Sequence, residues 1–173
     1  MKKVLFLDFD GTLVTTVSGK TFPENAMDMK LVPGIMEAIH EFVRREGAQF
    51  IFCVSNQGGI EKGFVDREET RRKIGLVIAM IETRMRDIPH MQMADFKICE
   101  SNDPKNPMRK PNPGMLDVFN RYVMADRNEC LMVGDASGKP GDFSDSDKVC
   151  AENFGCDYMD VNDFIREYAP KEA

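Results

Sequence analysis

The chain has 173 residues, 42% of them hydrophobic and 30% charged, with a formal net charge of -6. Those proportions exclude a disordered or collagen-like chain and leave one soluble globular domain over residues 1–173, large enough to bury a core without staples. The acidic balance argues against a protein that lives on non-specific phosphate contacts, so any nucleic-acid contact is expected to be local.

Met1-Lys2-Lys3 is basic, but the apolar run after it meets Asp8 too early for a signal peptide. No apolar stretch is long enough to span a bilayer, so no membrane association is expected. The run from Val4 to Phe9 predicts a buried strand. Leu13 to Val32 lacks clear periodicity and is long for a compact domain, which marks it as a functional flap over residues 13–32. Pro33 suits a first helical position, Ile35, Ile39, Phe42 and Val43 form an apolar stripe, and Gly47 stops the helix. Phe50 to Val54 is a second strand. Asp66, with Glu69 three residues on, resembles a capping box and opens a helix with Ile74, Val77, Ile78, Ile81 and Met85 on one face. Glu68 to Lys73 reads as a solvated, ion-paired face of that helix. Phe96 to Cys99 is a third strand, and Asn112-Pro113 starts a helix with Leu116, Phe119 and Val123 turned inward. Cys130 to Val133 is a fourth strand, and a short fifth passes through Tyr158 and Met159. Five cysteines form no C-x-x-C pair. Cys53, Cys99 and Cys130 fall inside expected strands, which suits a reducing, cytoplasmic setting.

Continuous apolar strands alternating with amphipathic helices predict an α/β fold, a parallel sheet covered on both faces. Ligands of such folds sit beyond the carboxyl ends of the strands. The polar residues fall there: Asp8 and Asp10 after strand one, Ser55-Asn56 after strand two, Gly134-Asp135 after strand four. Two carboxylates one residue apart repel each other, and a bound Mg²⁺ relieves that repulsion. A carboxylate can attack phosphorus to form an aspartyl-phosphate, so Asp8 is the candidate nucleophile. Asp10 would protonate the leaving oxygen and then deprotonate the hydrolytic water. Mg²⁺ would be held by Asp8, the backbone carbonyl of Asp10 and Asp135. Ser55 could hydrogen-bond a phosphoryl oxygen and Lys110 could neutralise charge there. Other readings stand beside these: Ser55 to Gly59 is also a plain turn, Lys110 before Pro111 a surface lysine, and Asp135 a cap for the segment after it.

The order D-x-D-G-T, hydrophobic-Ser-Asn, Lys-Pro, Gly-Asp resembles the haloacid dehalogenase (HAD) superfamily. That resemblance implies a HAD-like Rossmannoid three-layer sandwich with a central parallel sheet and a minimal cap. Val54 to Ile60 and Arg109 to Met115 look like the branch containing histidinol-phosphate and heptose-bisphosphate phosphatases. The latter often carry a zinc loop of Cys and His before the Lys motif, but only Cys99 lies nearby, so zinc is not expected. Thr12 to Pro23 is similar to the flap of the polynucleotide kinase 3′-phosphatase family. Gly134 to Pro140 resembles that family's metal-binding motif, and Asp142-Phe143-Ser144-Asp145-Ser146-Asp147 its D-F-S-x-x-D element. The resemblance implies removal of a 3′-phosphate from a nucleic-acid end. It further implies that Asp147 supports the metal or the Lys110 ammonium, and that Ser18, Lys20 and Arg109 touch substrate. Gly11, Thr12 and Asn56, inside the same motifs, are further candidate substrate contacts. Gly134 to Lys139 superficially suggests a Walker A loop, but one spacer residue is missing and Pro140 replaces Ser or Thr. The kinase half is therefore missing from this sequence, which leaves room for a separate kinase or repair protein as partner. Asp142 to Asp147 is acidic enough for an EF-hand loop, yet its spacing is wrong. It reads otherwise as a polar helix start capped by Ser144 or Asp145.

Three functions compete. A 3′-phosphatase is opposed by the net charge and by the lack of an aromatic-basic stripe for single strands. It is favoured by Lys20, Lys62, Lys105, Arg109, Lys110 and Lys139, all in loops expected near the strand ends. A small-molecule phosphatase would use the same core, but no long insertion supplies a lid, and an open site favours large or terminal phosphates. A receiver-type phosphoacceptor module would need its aspartyl-phosphate to persist, and a proton shuttle at Asp10 works against that.

Overall fold

Val4–Leu7 (β1) is apolar and buried at every position, a pattern that fits a central strand covered on both faces. The computed structural model describes residues 1–20 and 26–170 and places β1 in the middle of a five-stranded sheet. Its neighbours are Phe50–Asn56 (β4) and Cys130–Gly134 (β6), with Met93–Cys99 (β5) and Asp157–Asp160 (β7) at the edges. The order β5-β4-β1-β6-β7 is parallel throughout, with Val4 level with Phe50 on one side and Cys130 on the other. This is the α/β architecture expected of the sequence.

The pleat sorts the core into two layers. Leu5, Leu7, Ile51, Cys53, Leu131 and Val133 face the helices Ile35–Glu46 (α1), Arg67–Arg84 (α2) and Val161–Tyr168 (α5). Val4, Phe6, Phe52, Val54, Cys130 and Met132 face Gly114–Val123 (α3) and Ser146–Phe154 (α4). Aromatic rings dominate the second layer: Phe52 stacks on Phe119 with centroids 4.0 Å apart, and Phe154 meets Phe6 edge-on at 5.7 Å. No helix among the described residues is long and apolar enough to cross a membrane.

Several boundaries differ from the sequence reading. β1 stops at Leu7 because the Phe9 carbonyl accepts from the N–H groups of Thr12, Leu13 and Val14, turning the chain while the Phe9 ring stays buried. β4 continues through Ser55 and Asn56, and β5 begins at Met93 because it pairs with β4 from Phe50 onward. Gly34, at φ 81°, occupies the cap position of α1, so Pro33 precedes the cap instead of opening the helix. Asp66 does cap α2, its carboxylate accepting from Glu69 N at 2.8 Å. The face from Glu68 to Lys73 is not wholly solvated: Thr70 and Lys73 are buried, Lys73 only 5% exposed. The long connection after Leu13 contains a small antiparallel hairpin, Val14–Thr16 (β2) with Met29–Leu31 (β3). Residues 21–25 of the expected flap lie outside the described residues. Asp145 stands at the cap of α4 without a side-chain bond, and Ser144 Oγ accepts from Ser146 N instead.

Phe52→Ala would empty the space between β4 and α3. It should lower the unfolding free energy by about 3–5 kcal/mol, measured by urea denaturation. A loss below about 1 kcal/mol would mean that this layer closes over the gap.

Candidate active site

The chain steps outward from β1 to β4 and β5, then returns to β6 and β7 on the other side. That reversal opens a crevice at the carboxyl ends of β1, β4 and β6, where a doubly wound sheet places its ligands. Asp8 follows β1 directly, Ser55 lies in the last two residues of β4, and Asp135 follows β6. A cleft of about 510 Å³ opens there, and its walls include Asp8, Asp10, Ser55, Asn56, Lys110 and Asp147.

Lys110 reaches the floor of this cleft from the loop before α3. It is only 4% exposed and donates to Asp8 Oδ1 at 2.5 Å and to Asp147 Oδ1 at 2.7 Å. The reading of Lys110 as a surface lysine is thereby overturned. Burial alone would lower its pKa, but Asp147 and Asp8 overcome that and hold the ammonium above the ordinary lysine range. Burial drives Asp8 well above the usual carboxylate range, against the pull of Lys110. Asn56 fixes the lysine's backbone: its amide donates to the Lys110 carbonyl and accepts from Lys110 N, both at 2.9 Å. Asn56, expected among the substrate contacts, thus commits both ends of its amide to Lys110.

Asp10 is held differently. Gln57 Nε2 donates to Asp10 Oδ2 and to Ser55 Oγ, both at 2.8 Å. Burial raises the Asp10 pKa, partly offset by that hydrogen bond and by the charges of Lys73 and Lys110. Gln57 and Lys73 escaped the sequence reading. Gln57 stood inside a run that read as a turn, and Lys73 beside Ile74 looked like the edge of a charged face. A lysine breaking into a buried helical stripe was the available signal.

Asp8, Asp135 and Asp147 each bring a carboxylate oxygen within 4.8 Å of the others. Burial pushes Asp135 up to about 6, with Asp147 adding to the effect. Asp135 Oδ1 is buried with no hydrogen-bond partner among the described residues. Three carboxylates against one ammonium, one of them with an orphaned oxygen, form a donor set suited to a hard divalent cation. The packing tolerates no side chain on two neighbours. A Cβ on Gly11, whose φ is +80°, would lie 2.1 Å from Asp135 Oδ2, and one on Gly134 would lie 2.2 Å from Asp147 Oδ2.

Other expected contacts sit farther out. Thr12 is fully buried, its hydroxyl without a partner among the described residues, so it offers no surface to a ligand. Ser18 and Lys20 lie exposed on the hairpin connection, where Ser18 N and Oγ both donate to the Asp28 carboxylate. Arg109 lines the cleft and donates to the Ser101 carbonyl at 2.9 Å. Lys139, counted in the basic rim, instead pairs with Asp160 and Asp163 at 3.2 Å each. Asp142 accepts from Ser137 N, Ser137 Oγ and Lys139 N, closing the loop that resembled a phosphate loop on itself.

The family model of the polynucleotide kinase 3 phosphatase matches residues 3–165. The bifunctional polynucleotide phosphatase/kinase of Schizosaccharomyces pombe is 30% identical over 167 residues, covering 95% of this chain but 38% of that protein. A D-glycero-beta-D-manno-heptose-1,7-bisphosphate 7-phosphatase from Mesorhizobium japonicum is 28% identical over 134 residues, covering 76% of this chain and 59% of that one. The fold matches D,D-heptose 1,7-bisphosphate phosphatase from B. bronchiseptica, crystallised with magnesium and phosphate. The TM-score is 0.63 at 19% identity, over 95% of this chain and 97% of that chain. A match over almost the whole domain, on a sheet that gathers these carboxylates and one buried lysine at its switch point, places this chain in the polynucleotide kinase 3 phosphatase family.

Proposed function

We propose that the chain hydrolyses phosphomonoesters through an aspartyl-phosphate on Asp8, with Mg²⁺ as cofactor and the 3′-phosphate of a nucleic-acid end as substrate. The observation that carries this reading is the pair of differently held carboxylates. Asp8 is pinned by the Lys110 ammonium at 2.5 Å, and Asp10 is tethered by Gln57 at 2.8 Å in the same cleft.

Each group has a task that its surroundings support. The Asp8 carboxylate attacks phosphorus, forming the acyl-phosphate as the bond to the leaving oxygen breaks. Asp10, its pKa raised by burial, gives its proton to that oxygen. It then takes a proton from the water that attacks the acyl-phosphate, returning Asp8 and releasing inorganic phosphate. Gln57 keeps Asp10 aimed, and by donating to Ser55 Oγ it leaves the serine hydroxyl proton to meet a phosphoryl oxygen. Lys110 holds Asp8 in place and balances its charge. Asp8, Asp135 and the Asp10 carbonyl, with Asp147 behind them, would hold Mg²⁺, which when bound neutralises the phosphoryl oxygens.

Support for a nucleic-acid end comes from the family match, from the open cleft, and from Lys62 and Arg109 on its walls. A terminal phosphate needs only such a local cationic rim, so the acidic total charge is no obstacle. The hairpin after Leu13 would serve as the flap. The S. pombe relative joins a phosphatase to a kinase by name, so a kinase acting on the same ends is the candidate partner.

The expected result with Mg²⁺ is phosphate release from a 3′-phosphorylated oligonucleotide, none from its 5′-phosphorylated counterpart, and loss of turnover in EDTA. Asp8→Asn should abolish the activity, and Asp10→Asn should lower kcat by about 10²- to 10⁴-fold. Rapid turnover of histidinol phosphate or a heptose phosphate, with none from the 3′ end, would replace the nucleic-acid reading with a small-molecule one.

The carboxylate cluster makes a separate prediction about stability. A ligand present at 100 times its Kd stabilises the native state by about 2.7 kcal/mol, so saturating Mg²⁺ should raise Tm. Asp135→Asn removes one half-buried like charge. Without metal, the variant should melt at or above the parent's temperature, and its Mg²⁺-dependent shift should vanish. A full shift retained in the variant would remove Asp135 from the metal site.

A further inference from the structure

Phe64 and Phe143 are 79% and 75% exposed, yet both line the cleft that contains Asp8, Asp10 and Lys110. They belong to different loops, one before α2 and one between β6 and α4, and neither ring joins either core layer. Large apolar side chains left in water beside a reactive cleft mark a surface that meets a ligand. Neither loop is slack. Phe64 N donates to the Gly59 carbonyl at 2.9 Å and Gly63 N to Ile60 at 3.0 Å, closing the turn that presents the first ring. On the other side, Asp142 ties back to Ser137 and Lys139, and Gly138 N donates to the Ser144 carbonyl at 3.1 Å. Phe143 stands between these two anchors.

We propose that Phe64 and Phe143 form a stacking platform for the unpaired bases at the 3′ end of the substrate. This inference rests on the nucleic-acid reading above and extends it from the phosphate to the base. The chemistry of the walls favours that occupant. A sugar phosphate asks for hydrogen-bond donors and acceptors around its hydroxyls, whereas a phenyl ring offers a flat apolar face that suits a base of any identity. Lys62 and Arg109 on the same walls supply the positive charge that an adjoining backbone phosphate needs. Stacking on an exposed ring requires a base free of its complement, so the site should prefer single-stranded or frayed ends and be indifferent to sequence.

The test compares kcat and KM on two 3′-phosphorylated single strands, an oligothymidylate and the same strand with its last two nucleotides replaced by abasic units. Glycerol 2-phosphate serves as a third substrate. The parent should show a lower KM for the base-bearing strand, by about tenfold, as base–aromatic stacking implies. In the double variant Phe64→Ala/Phe143→Ala this preference should collapse toward unity through KM, with Phe64→Tyr/Phe143→Tyr restoring it. A preference retained in the double variant, or absent from the parent, would overturn the platform while leaving the 3′-phosphatase reading intact. Turnover of glycerol 2-phosphate with no release from either strand would instead overturn the nucleic-acid reading, and the platform with it.

Discussion

The site is organised around one buried ammonium shared by two carboxylates. Lys110 joins Asp8, 102 residues earlier, to Asp147, 37 residues later, so a single contact point ties together β1, the loop before α3 and the start of α4. Such a cluster is poor at stabilising a fold. Desolvating three charges costs several kcal/mol per ion before their attraction repays it, and well-packed apolar residues often do as well or better. Breaking it halfway is worse, because a carboxylate left without its lysine remains buried and charged. The arrangement therefore makes sense as a device for holding Asp8 in one position with its charge balanced. Asn56 belongs to the same device, since it grips the lysine's backbone from both sides.

Crowding of the carboxylates explains the spacing of the motifs. Asp135 lies so close to the turn after Asp10 that Gly11 has no room for a Cβ, and Asp147 presses on Gly134 in the same way. The glycine after the second aspartate and the glycine before the third are one requirement met twice: backbone must approach within van der Waals range of an anionic oxygen. Like charges accept that density only if something offsets them. Lys110 offsets part, and Asp135 Oδ1, buried without a hydrogen-bond partner among the described residues, is a fitting donor for a cation that would offset the rest.

The parts of this site legible in the sequence were those governed by topology. Asp8, Ser55 and Asp135 could be found because a parallel sheet sends whatever follows its central strands to one crevice, and those strands were plain from their apolar runs. Residues that act through a neighbour were not legible. Gln57 earns its place only by reaching both Asp10 and Ser55, a relation between the ends of two strands. Lys139 read as a free cation because Asp160 and Asp163, which bind it, lie 21 and 24 residues away, at the end of β7 and in the first turn of α5. The hairpin of β2 and β3 was invisible for a simpler reason: strands of three residues carry too little alternation to register.

The electrostatics of the cleft bear on how an acidic protein could work on a polyanion. With Lys139 bound to Asp160 and Asp163 and Lys110 to Asp8 and Asp147, few of the described cations in or near the cleft are left to meet phosphate. Counterion release scales with the number of phosphates neutralised, so such a rim provides little affinity for the length of a strand. On the proposed function, it would instead recognise an end. Ser55 and the Asp8 region would then hold the scissile phosphate, and a metal held by Asp8, Asp135 and Asp147 would neutralise its charge. The rest of the grip would fall to uncharged contacts beside the cleft. Phe64 and Phe143 occupy that position. Weak attraction to the polymer and firm attraction to its terminus would let the enzyme release a dephosphorylated strand, since the group that anchored it has left.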